Sequence, residues 1–365
     1  PPRSTLFPYT TLFRSLDITS AAGDITSLAA GVINATGNTR IAAAGADSDI
    51  TLGAALSSSG TLTMTTTAGD ITTLAAGRID ATGATVLQAV GTGSDITLGA
   101  TLTSGSTLVM TTTAGHISNT AVITAAGNTL VQAGGAGSDI TLGANVGITA
   151  GHASFNAGRD VVQISYADIT ASGSGKTVDM VAGRHISMQD GADIYSNNGN
   201  VVLLSTAGDI TVEYIDAGTA NVALTALTGS LIDQESFGDS QTDLVASGLR
   251  LYAGNAIGSA FNHLETSVTA LAAQAISGAG FLGETAGLLV DSLTVEAQRV
   301  SSNATSSSTT YGQQSGLGAG GNLVLLVNSG DLTLSDDVAA GGKLLLQVAG
   351  AMTLNNPVSS GEAAS

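Results

Sequence analysis

The amino-acid sequence predicts an all-β fold, a right-handed parallel β-helix (β-solenoid) of about 15 coils with about 20–25 residues in each. Two observations lead to this prediction: similar segments return along the chain at a regular step, and apolar and polar residues alternate within each segment. A third observation is that glycine, asparagine, aspartate and serine separate the segments, and these residue types favour turns.

The repeat has a step of 46 residues in the first part of the chain. The segment GDIT begins at Gly23 and again at Gly69, and the related GHIS begins at Gly115. Each unit of 46 residues contains two coils, whose corresponding positions are Asp24, Asp49, Asp70, Asp95, His116 and Asp139. We expect these aspartates to cap turns. His116 and His185 occupy positions that aspartate holds in other coils, so we expect them at corners as well.

Alternation within a coil indicates which side chains face inward. In the segment Asp49-Ile50-Thr51-Leu52, the two apolar residues share one face of a strand and the two polar residues share the other. Stacking the coils therefore predicts an inner column and an outer column. The inner column contains Ile50, Ile96 and Ile140, and the outer column contains Thr51, Thr97 and Thr141.

We expect one continuous solenoid with differing zones, and not separate domains. Residues 5–15 read TLFPYTTLFRS, which resembles a translated sequencing adapter, so we treat residues 1–15 as a non-native leader. The remaining zones are 16–154 (regular Thr/Ala-rich coils), 155–297 (less regular coils with aromatic residues), 298–320 (a Ser/Gly-rich loop) and 321–365 (terminal coils).

Composition excludes several functions. The chain of 365 residues has 28 acidic and 10 basic residues, a net charge of −18, so binding to nucleic acid or to anionic lipid is not expected. The absence of cysteine excludes disulfides and thiolate chemistry. A mean hydropathy of +0.33 argues against disorder, which usually combines high charge with low hydrophobicity.

Three motifs suggest ligand binding, but each fits less well than a structural role. GSGKT at 173–177 has Thr170 where a phosphate-binding loop needs glycine, and an alternating segment follows it. GGAGSD at 134–139 begins like a calcium nonapeptide but lacks tandem copies, so only weak, diffuse Ca²⁺ binding is expected. The Thr-x-Thr sets near Thr61 and Thr107 occur only in alternate coils, which argues against an ice-binding face.

No group of residues in the sequence predicts catalysis. Asp336 and Asp337 form the only Asp-Asp pair, and coil spacing places no second acid or base beside them. The four histidines, which lack metal-ligand spacing, are His116, His152, His185 and His263. We therefore predict no catalytic, cofactor-binding or metal-binding residue and no enzyme activity. The uncharged stretch between Glu265 and Glu284 is expected to form buried coils and not a membrane span.

The coil segments GDIT-L, AGGNLVLLVNSGDLTL and GGKLLLQVAGAMTL resemble the large bacterial exoproteins of the filamentous-haemagglutinin type. Residues 251–295 resemble the less regular coils of such proteins, and the resemblance extends over nearly all of 16–365. It implies a passenger segment of a secreted or cell-surface adhesin that leaves the cell by two-partner or related type V secretion. The implied partners are an outer-membrane transporter during export and a glycan or protein on a host or neighbouring cell.

Two functions remain open at this point. In the first, the chain is a non-catalytic rod or stalk of an adhesin. In the second, coils 155–297 form a glycan-binding or carbohydrate-active module in which tyrosine rings stack on sugars. The candidate tyrosines are Tyr166, Tyr195, Tyr214 and Tyr252. We expect these tyrosines to be buried in a wider part of the tube, and exposure on one lateral face would favour the second function.

Overall fold

A computed structural model of the chain describes residues 14–235 and 241–362. Within these residues the chain forms a parallel β-solenoid of about 15 turns without helices, as the sequence predicts. Most of the proposed leader, residues 1–13, lies outside the described residues. Ser15, which we assigned to the leader, is the first residue of a strand that pairs with the next coil.

The described residues form 42 strands, most of them three to five residues long. In chain order they are β1 (Ser15–Ser20), β2 (Ile25–Ser27), β3 (Val32–Ala35), β4 (Asn38–Ala46), β5 (Ile50–Leu52), β6 (Ala55–Ser58), β7 (Leu62–Ala68), β8 (Ile71–Thr73), β9 (Ile79–Ala81), β10 (Thr85–Thr92), β11 (Ile96–Leu98), β12 (Leu102–Ser104), β13 (Leu108–Ala114), β14 (Ile117–Asn119), β15 (Ile123–Ala125), β16 (Thr129–Ala133), β17 (Ile140–Leu142), β18 (Val146–Ile148), β19 (Ala153–Ala157), β20 (Val161–Gln163), β21 (Ile169–Ala171), β22 (Val178–Ala182), β23 (Ile186–Met188), β24 (Asp193–Ser196), β25 (Val201–Ser205), β26 (Ile210–Val212), β27 (Tyr214–Asp216), β28 (Asn221–Ala226), β29 (Leu231–Asp233), β30 (Leu244–Ala253), β31 (Leu264–Ala275), β32 (Gly280–Glu284), β33 (Leu288–Val290), β34 (Ser292–Val300), β35 (Ser306–Ser315), β36 (Leu317–Ala319), β37 (Leu323–Val327), β38 (Leu332–Leu334), β39 (Val338–Ala340), β40 (Leu344–Val348), β41 (Met352–Leu354) and β42 (Val358–Ser360).

Three strands per coil generate three faces. Face A contains β1, β4, β7, β10, β13, β16, β19, β22, β25, β28 and the C-terminal parts of β30 and β31. Face B contains every third strand from β2 to β26 and ends with β29, and face C contains every third strand from β3 to β27. Beyond β31, the strands from β32 to β42 other than β34 and β35 continue the stack in the same parallel sense.

The predicted columns are present and are more continuous than the sequence alone indicated. Ile50 and Ile96 are separated by Ile71, which is in register with both, and all three are fully buried. On the outer side Thr51, Thr72 and Thr97 are in register. Burying aliphatic side chains in the tube provides most of the stabilisation, about 1.5–3 kcal/mol for each residue of this size.

Corner geometry explains why coil lengths alternate between 25 and 21 residues. In the longer coils the chain makes an extra turn after face B, closed by a hydrogen bond from Gly31 N–H to Leu28 O and again from Gly77 N–H to Leu74 O. The shorter coils cross the same corner with a glycine such as Gly53. Face A adds further residues in the longer coils, where the register shifts between Ala43 and Ala46 in β4 and at the equivalent point of β10.

A ladder of side chains joins successive coils at the corner before face B. Each side chain accepts a hydrogen bond from the backbone N–H of the equivalent residue in the next coil, as Asp24 does from Asp49 at 3.0 Å. Ten such bonds, of 2.6–3.4 Å, run through Asp24, Asp49, Asp70, Asp95, His116, Asp139, Asp160, His185, Asp209, Ser230 and Ala256. The predicted capping role is confirmed, although each cap joins two coils.

The histidines of this ladder act as acceptors. Nδ1 of His116 accepts from Asp139 N–H at 3.1 Å, and Nδ1 of His185 accepts from Asp209 N–H at 3.0 Å. His152 does the same at another corner, where its Nδ1 accepts from Thr177 N–H at 3.1 Å. An Nδ1 atom that accepts a hydrogen bond carries no proton, so the bond at His152 is made by the neutral imidazole.

The sequence predicts a Ser/Gly-rich loop at residues 298–320, and this prediction is wrong because most of the segment forms β-strands. The chain leaves the coil after β33, forms an antiparallel hairpin from β34 and β35, and returns as β36. Both β33 and β36 pair with β31, so the hairpin is an insertion within one strand position of face A. Serine and threonine are compatible with strands when a neighbouring surface supports them, and the sequence of this segment does not reveal that surface.

The supporting surface is a column of outward-facing side chains on face A. In coils that the hairpin does not cover, the equivalent position is more exposed, as for Arg40 and Thr63. Under the hairpin every member is at most 9% exposed, and the column consists of Val109, Leu130, Ser154, Asp179, Val202, Ala223, Arg250 and Ala272. Val295 and Ala297 of β34 pack on Val202 and Ala223. The hairpin therefore lies along the rod and covers eight coils.

An ion pair between the buried Asp179 and the partly exposed Arg299 anchors the hairpin. Arg299 Nε donates to Asp179 Oδ2 at 2.7 Å, and the Tyr311 hydroxyl donates to Asp179 Oδ1 at 2.9 Å. The Asp179 side chain is only 2% exposed. The hydrogen bond to Asp179 raises the pKa of Arg299, and burial raises the pKa of Tyr311.

Replacing Arg299 by Met should destabilise the hairpin, because the Asp179 carboxylate would remain buried without its cation. We expect a loss of about 3 kcal/mol in the free energy of unfolding measured in urea. The matched control is Arg40→Met, which breaks an exposed pair with Asp17 and should cost at most about 1 kcal/mol. Equal effects of the two substitutions would contradict this account of the anchor.

Stability should decrease in mild acid through His152. Burial lowers the pKa of His152 and the charge of Lys176 lowers it further, so the unfolded chain takes up the proton more readily than the folded chain. The contribution of the neutral ring is thus complete above about pH 6.5 and decreases as the pH falls below that value.

The variant His152→Asn should lose less stability than the wild type between about pH 7.5 and pH 5. Asparagine keeps a non-titrating acceptor, as Asn128 does one coil earlier when its Oδ1 accepts from His152 N–H at 3.0 Å. Melting temperatures of both proteins at the two pH values give the comparison. An identical pH dependence would show that His152 is not a source of acid sensitivity.

Candidate functional site

The candidate site is an acidic cleft beside two tyrosines, at the corner between faces B and C. Its volume is about 380 Å³, within the range of small-ligand sites. It is lined by Asp190, Gly191, Asp193, Tyr195, Glu213, Tyr214, Glu235, Gln241, Thr242 and Asp243. The lining residues come from successive coils, which the stacking brings together although they span more than fifty positions in the sequence.

The tyrosines face outward, so the expectation that they fill a wider part of the tube is wrong. On β24 the inward position belongs to Ile194 and the outward position to Tyr195, while on β27 Ile215 faces inward and Tyr214 outward. Strand alternation leaves no inward position for either ring. Among the described residues, Phe155 is the aromatic residue that is fully buried in the core.

Three of the four candidate tyrosines lie on the same side of the rod. The ring centroids of Tyr195 and Tyr214 are 5.8 Å apart with the planes tilted by 58°. Tyr166 is 72% exposed, and its ring lies over Gly191, where a Cβ atom would be 2.6 Å from the ring. Gly191 also has a φ of +71°, so this approach depends on glycine. Tyr252 faces outward on face A, away from this group.

Hydrogen bonds and burial shift the pKa values of the residues around the two tyrosines of the cleft. The Tyr195 hydroxyl donates to Asp193 Oδ2 at 2.7 Å, and this bond raises the pKa of Tyr195. Burial raises the pKa of Asp193 and of Tyr214. Glu213 accepts a hydrogen bond from Gly191 N–H at 3.0 Å. Protonated phenols beside carboxylates give the cleft both donors and acceptors.

Three carboxylates lie together next to the cleft, and one of them, Asp243, also lines it. One oxygen from each of Asp233, Asp243 and Glu265 lies within 4.8 Å of the other two. Asp233 and Asp243 are 5% and 1% exposed, and Glu265 N–H donates to Asp243 Oδ2 at 2.7 Å. Within 14–235 and 241–362 this is the one group of acidic or histidine side chains close enough to share a metal ion. Such oxygen donors would suit a hard divalent cation.

Our reading of the sequence missed the acidic residues of the cleft and of the cluster next to it, although the coil step contains a signal for several of them. Glu213 and Glu235 are 22 residues apart, and so are Asp243 and Glu265. Aligning acidic residues at one coil step in the irregular zone would have placed them on neighbouring coils. The search for paired acids in the sequence found only Asp336 and Asp337, which lie at an outer corner outside the cleft.

The other sequence motifs occupy structural positions. Residues 173–177 form a corner between β21 and β22, and the strand after them confirms the prediction of a turn. Asp139 of the GGAGSD segment is a ladder residue whose carboxylate accepts from Arg159. The His263 ring stacks on Phe281 with centroids 5.8 Å apart.

The uncharged stretch before Glu284 forms β31 and β32, as expected of buried coils. Within the described residues, no helix has the length and apolar character needed to cross a lipid bilayer.

Comparisons with protein-family models, with curated proteins and with solved structures yield no match to this chain.

Proposed function

We propose that the chain is a non-catalytic rod or stalk segment of a secreted or cell-surface bacterial adhesin. The observation that carries this proposal is the ladder of ten hydrogen bonds that joins eleven coils from Asp24 to Ala256. A repeated joint of this kind extends the chain in one direction, which serves reach and display. The resemblance of the coil segments to filamentous-haemagglutinin-type exoproteins supports the same function, and implies export through an outer-membrane transporter.

Antibodies raised against the chain should label intact cells of the source organism, and external protease should remove the label. The reason is that a displayed rod is accessible from outside, whereas an internal protein is protected. Labelling should be compared between intact and permeabilised cells, with a cytoplasmic protein as the control. Signal that appears only after permeabilisation would contradict the proposal.

A second function is favoured by the cleft, namely binding of a surface glycan. Tyr166, Tyr195 and Tyr214 offer aromatic surface on one side of the rod, and the carboxylates beside them can accept hydrogen bonds from sugar hydroxyls. The cluster of Asp233, Asp243 and Glu265 adds carboxyl groups that could exchange protons with a bound glycan. A more specific form of this second proposal is therefore a carbohydrate-active module.

Glycan binding through the cleft should be lost when both rings are removed. A glycan array probed with the wild type and with the double variant Tyr195→Ala/Tyr214→Ala tests this. Tyr252→Ala is the matched control, since that ring also faces outward but lies on face A. We expect at least a tenfold weaker signal for the double variant only, corresponding to about 1.4 kcal/mol or more. An array without wild-type signal, or a signal that the double variant retains, would exclude the cleft as the site.

A further inference from the structure

The two edges of the hairpin differ sharply. The outer edge of β34 is saturated by side chains of the solenoid: Gln298 N–H donates to Thr177 Oγ1 at 3.0 Å, and Val300 N–H donates to Ser154 Oγ at 2.8 Å. The carbonyl of Glu296 accepts from Asn200 Nδ2 at 2.8 Å. The backbone groups of residues 296, 298 and 300 therefore point away from β35.

Antiparallel pairing then fixes which groups of β35 point outward. Glu296, Gln298 and Val300 lie opposite Thr310, Ser308 and Ser306, so these are the non-hydrogen-bonded pairs of the hairpin. The N–H and C=O groups of Ser306, Ser308 and Thr310 consequently face the outer edge of β35. The same alternation continues at Gly312. Its carbonyl points to the outer edge and accepts a hydrogen bond from Arg250 Nε at 2.9 Å.

This edge of β35 is open from Ser306 to Thr310. In the described part of the chain β35 pairs with β34 alone, and Ser306, Ser308 and Thr310 are all exposed. The strand contains no charged residue and no proline, which are the usual means of blocking an edge. An edge left in this state is a template for another strand.

Beside the open edge the solenoid offers a floor for such a strand. Three outward positions follow one another at β22. Thr177, just before the strand, contacts β34, and Asp179 lies under the hairpin. Val181 is the next outward residue, on the side of β35. Val181 is in register with Leu204 on β25, and both side chains are partly exposed. Two residues of a strand advance by about 6.8 Å, so these side chains lie just beyond β35.

We propose that the open edge of β35 and the floor formed by Val181 and Leu204 bind an extended segment of a partner polypeptide, which adds as a third strand to the hairpin. Backbone donors and acceptors at strand spacing select a polypeptide over a glycan. The floor selects apolar side chains at alternate positions of the bound segment. The added strand continues the interface that the hairpin already makes with face A. This surface is distinct from the cleft and does not depend on the proposed function.

A second copy of the chain does not fit this edge. Antiparallel pairing of two β35 strands requires a two-fold axis perpendicular to the joined sheet, which places both solenoids on the same side of it. Each solenoid extends beneath the position of the added strand, so the two solenoids would occupy the same space. The occupant is therefore a segment that can extend away from its own domain.

The test uses the whole chain and a synthetic probe, the acetylated and amidated peptide Lys-Thr-Val-Thr-Val-Thr-Val-Lys with a fluorescent label. Fluorescence anisotropy should show saturable binding, and the same peptide N-methylated at alternate residues should not bind, since it lacks the N–H groups that pair with the edge. The variant Ser308→Pro removes one outward N–H and should weaken binding about tenfold, while Ser308→Ala, which keeps it, should bind as the wild type does.

Deuterium exchange separates loss of the edge from loss of the hairpin. In the free chain the amides of Ser306, Ser308 and Thr310 should exchange rapidly and that of Thr309 slowly, and the peptide should slow the first three. If Ser308→Pro also exposes Thr309, the variant Leu204→Lys, which alters only the floor, replaces it and should weaken binding similarly. Absence of saturable binding to the wild type, or binding that the N-methylated peptide reproduces, would overturn the proposal.

Discussion

The structure depends on the backbone hydrogen bonds between successive coils. Each strand of a coil is an edge until the next coil covers it, and an unpaired edge costs free energy when it is buried and invites aggregation when it is exposed. Parallel stacking in a fixed register meets this constraint with strands of only three residues, such as β5 and β8. Register in turn requires the inward side chains to form columns, so the aliphatic core follows from the pairing.

Corners are where this constraint is hardest to satisfy, because the chain leaves strand geometry there. The ladder from Asp24 to Ala256 solves it by giving each corner N–H a side-chain acceptor from the preceding coil. The solution brings like charges close together: burial raises the pKa of Asp70, and the charges of Asp49 and Asp95 raise it further against the opposing effect of the Asp95 backbone N–H. At two ladder positions a histidine ring nitrogen replaces the carboxylate oxygen as the acceptor. At Asp160 the side chain of Arg184 lowers the pKa of the carboxyl group by donating to it.

Much of the solenoid could be predicted because its rules are local and repeated. The columns of Ile50 and Thr51 follow from strand alternation plus the repeat step, and the corner role of His116 follows from its alignment with aspartate. The hairpin could not be predicted in this way, since its strands depend on a surface assembled from eight coils. The sequence indicates that surface only by the residue types in one outward column, which change from threonine at Thr63 to apolar residues at Val109 and Leu130. The cleft was missed for a related reason: its acids align by coil step only after the irregular zone is placed in register.

The central claim is that hydrogen bonds between successive coils hold the solenoid together, and that at the corners side chains provide the acceptors for these bonds. Amide deuterium exchange at the ladder positions tests it most directly, with Asp49, Asp70 and Asp95 as reporters. We expect these corner amides to exchange slowly, and substituting Asp49 by Ala should speed exchange at Asp70, whose N–H donates to Asp49 Oδ1 at 2.8 Å, more than at Asp95. Corner amides that exchange at the rate of an unstructured peptide in the wild type would contradict the account.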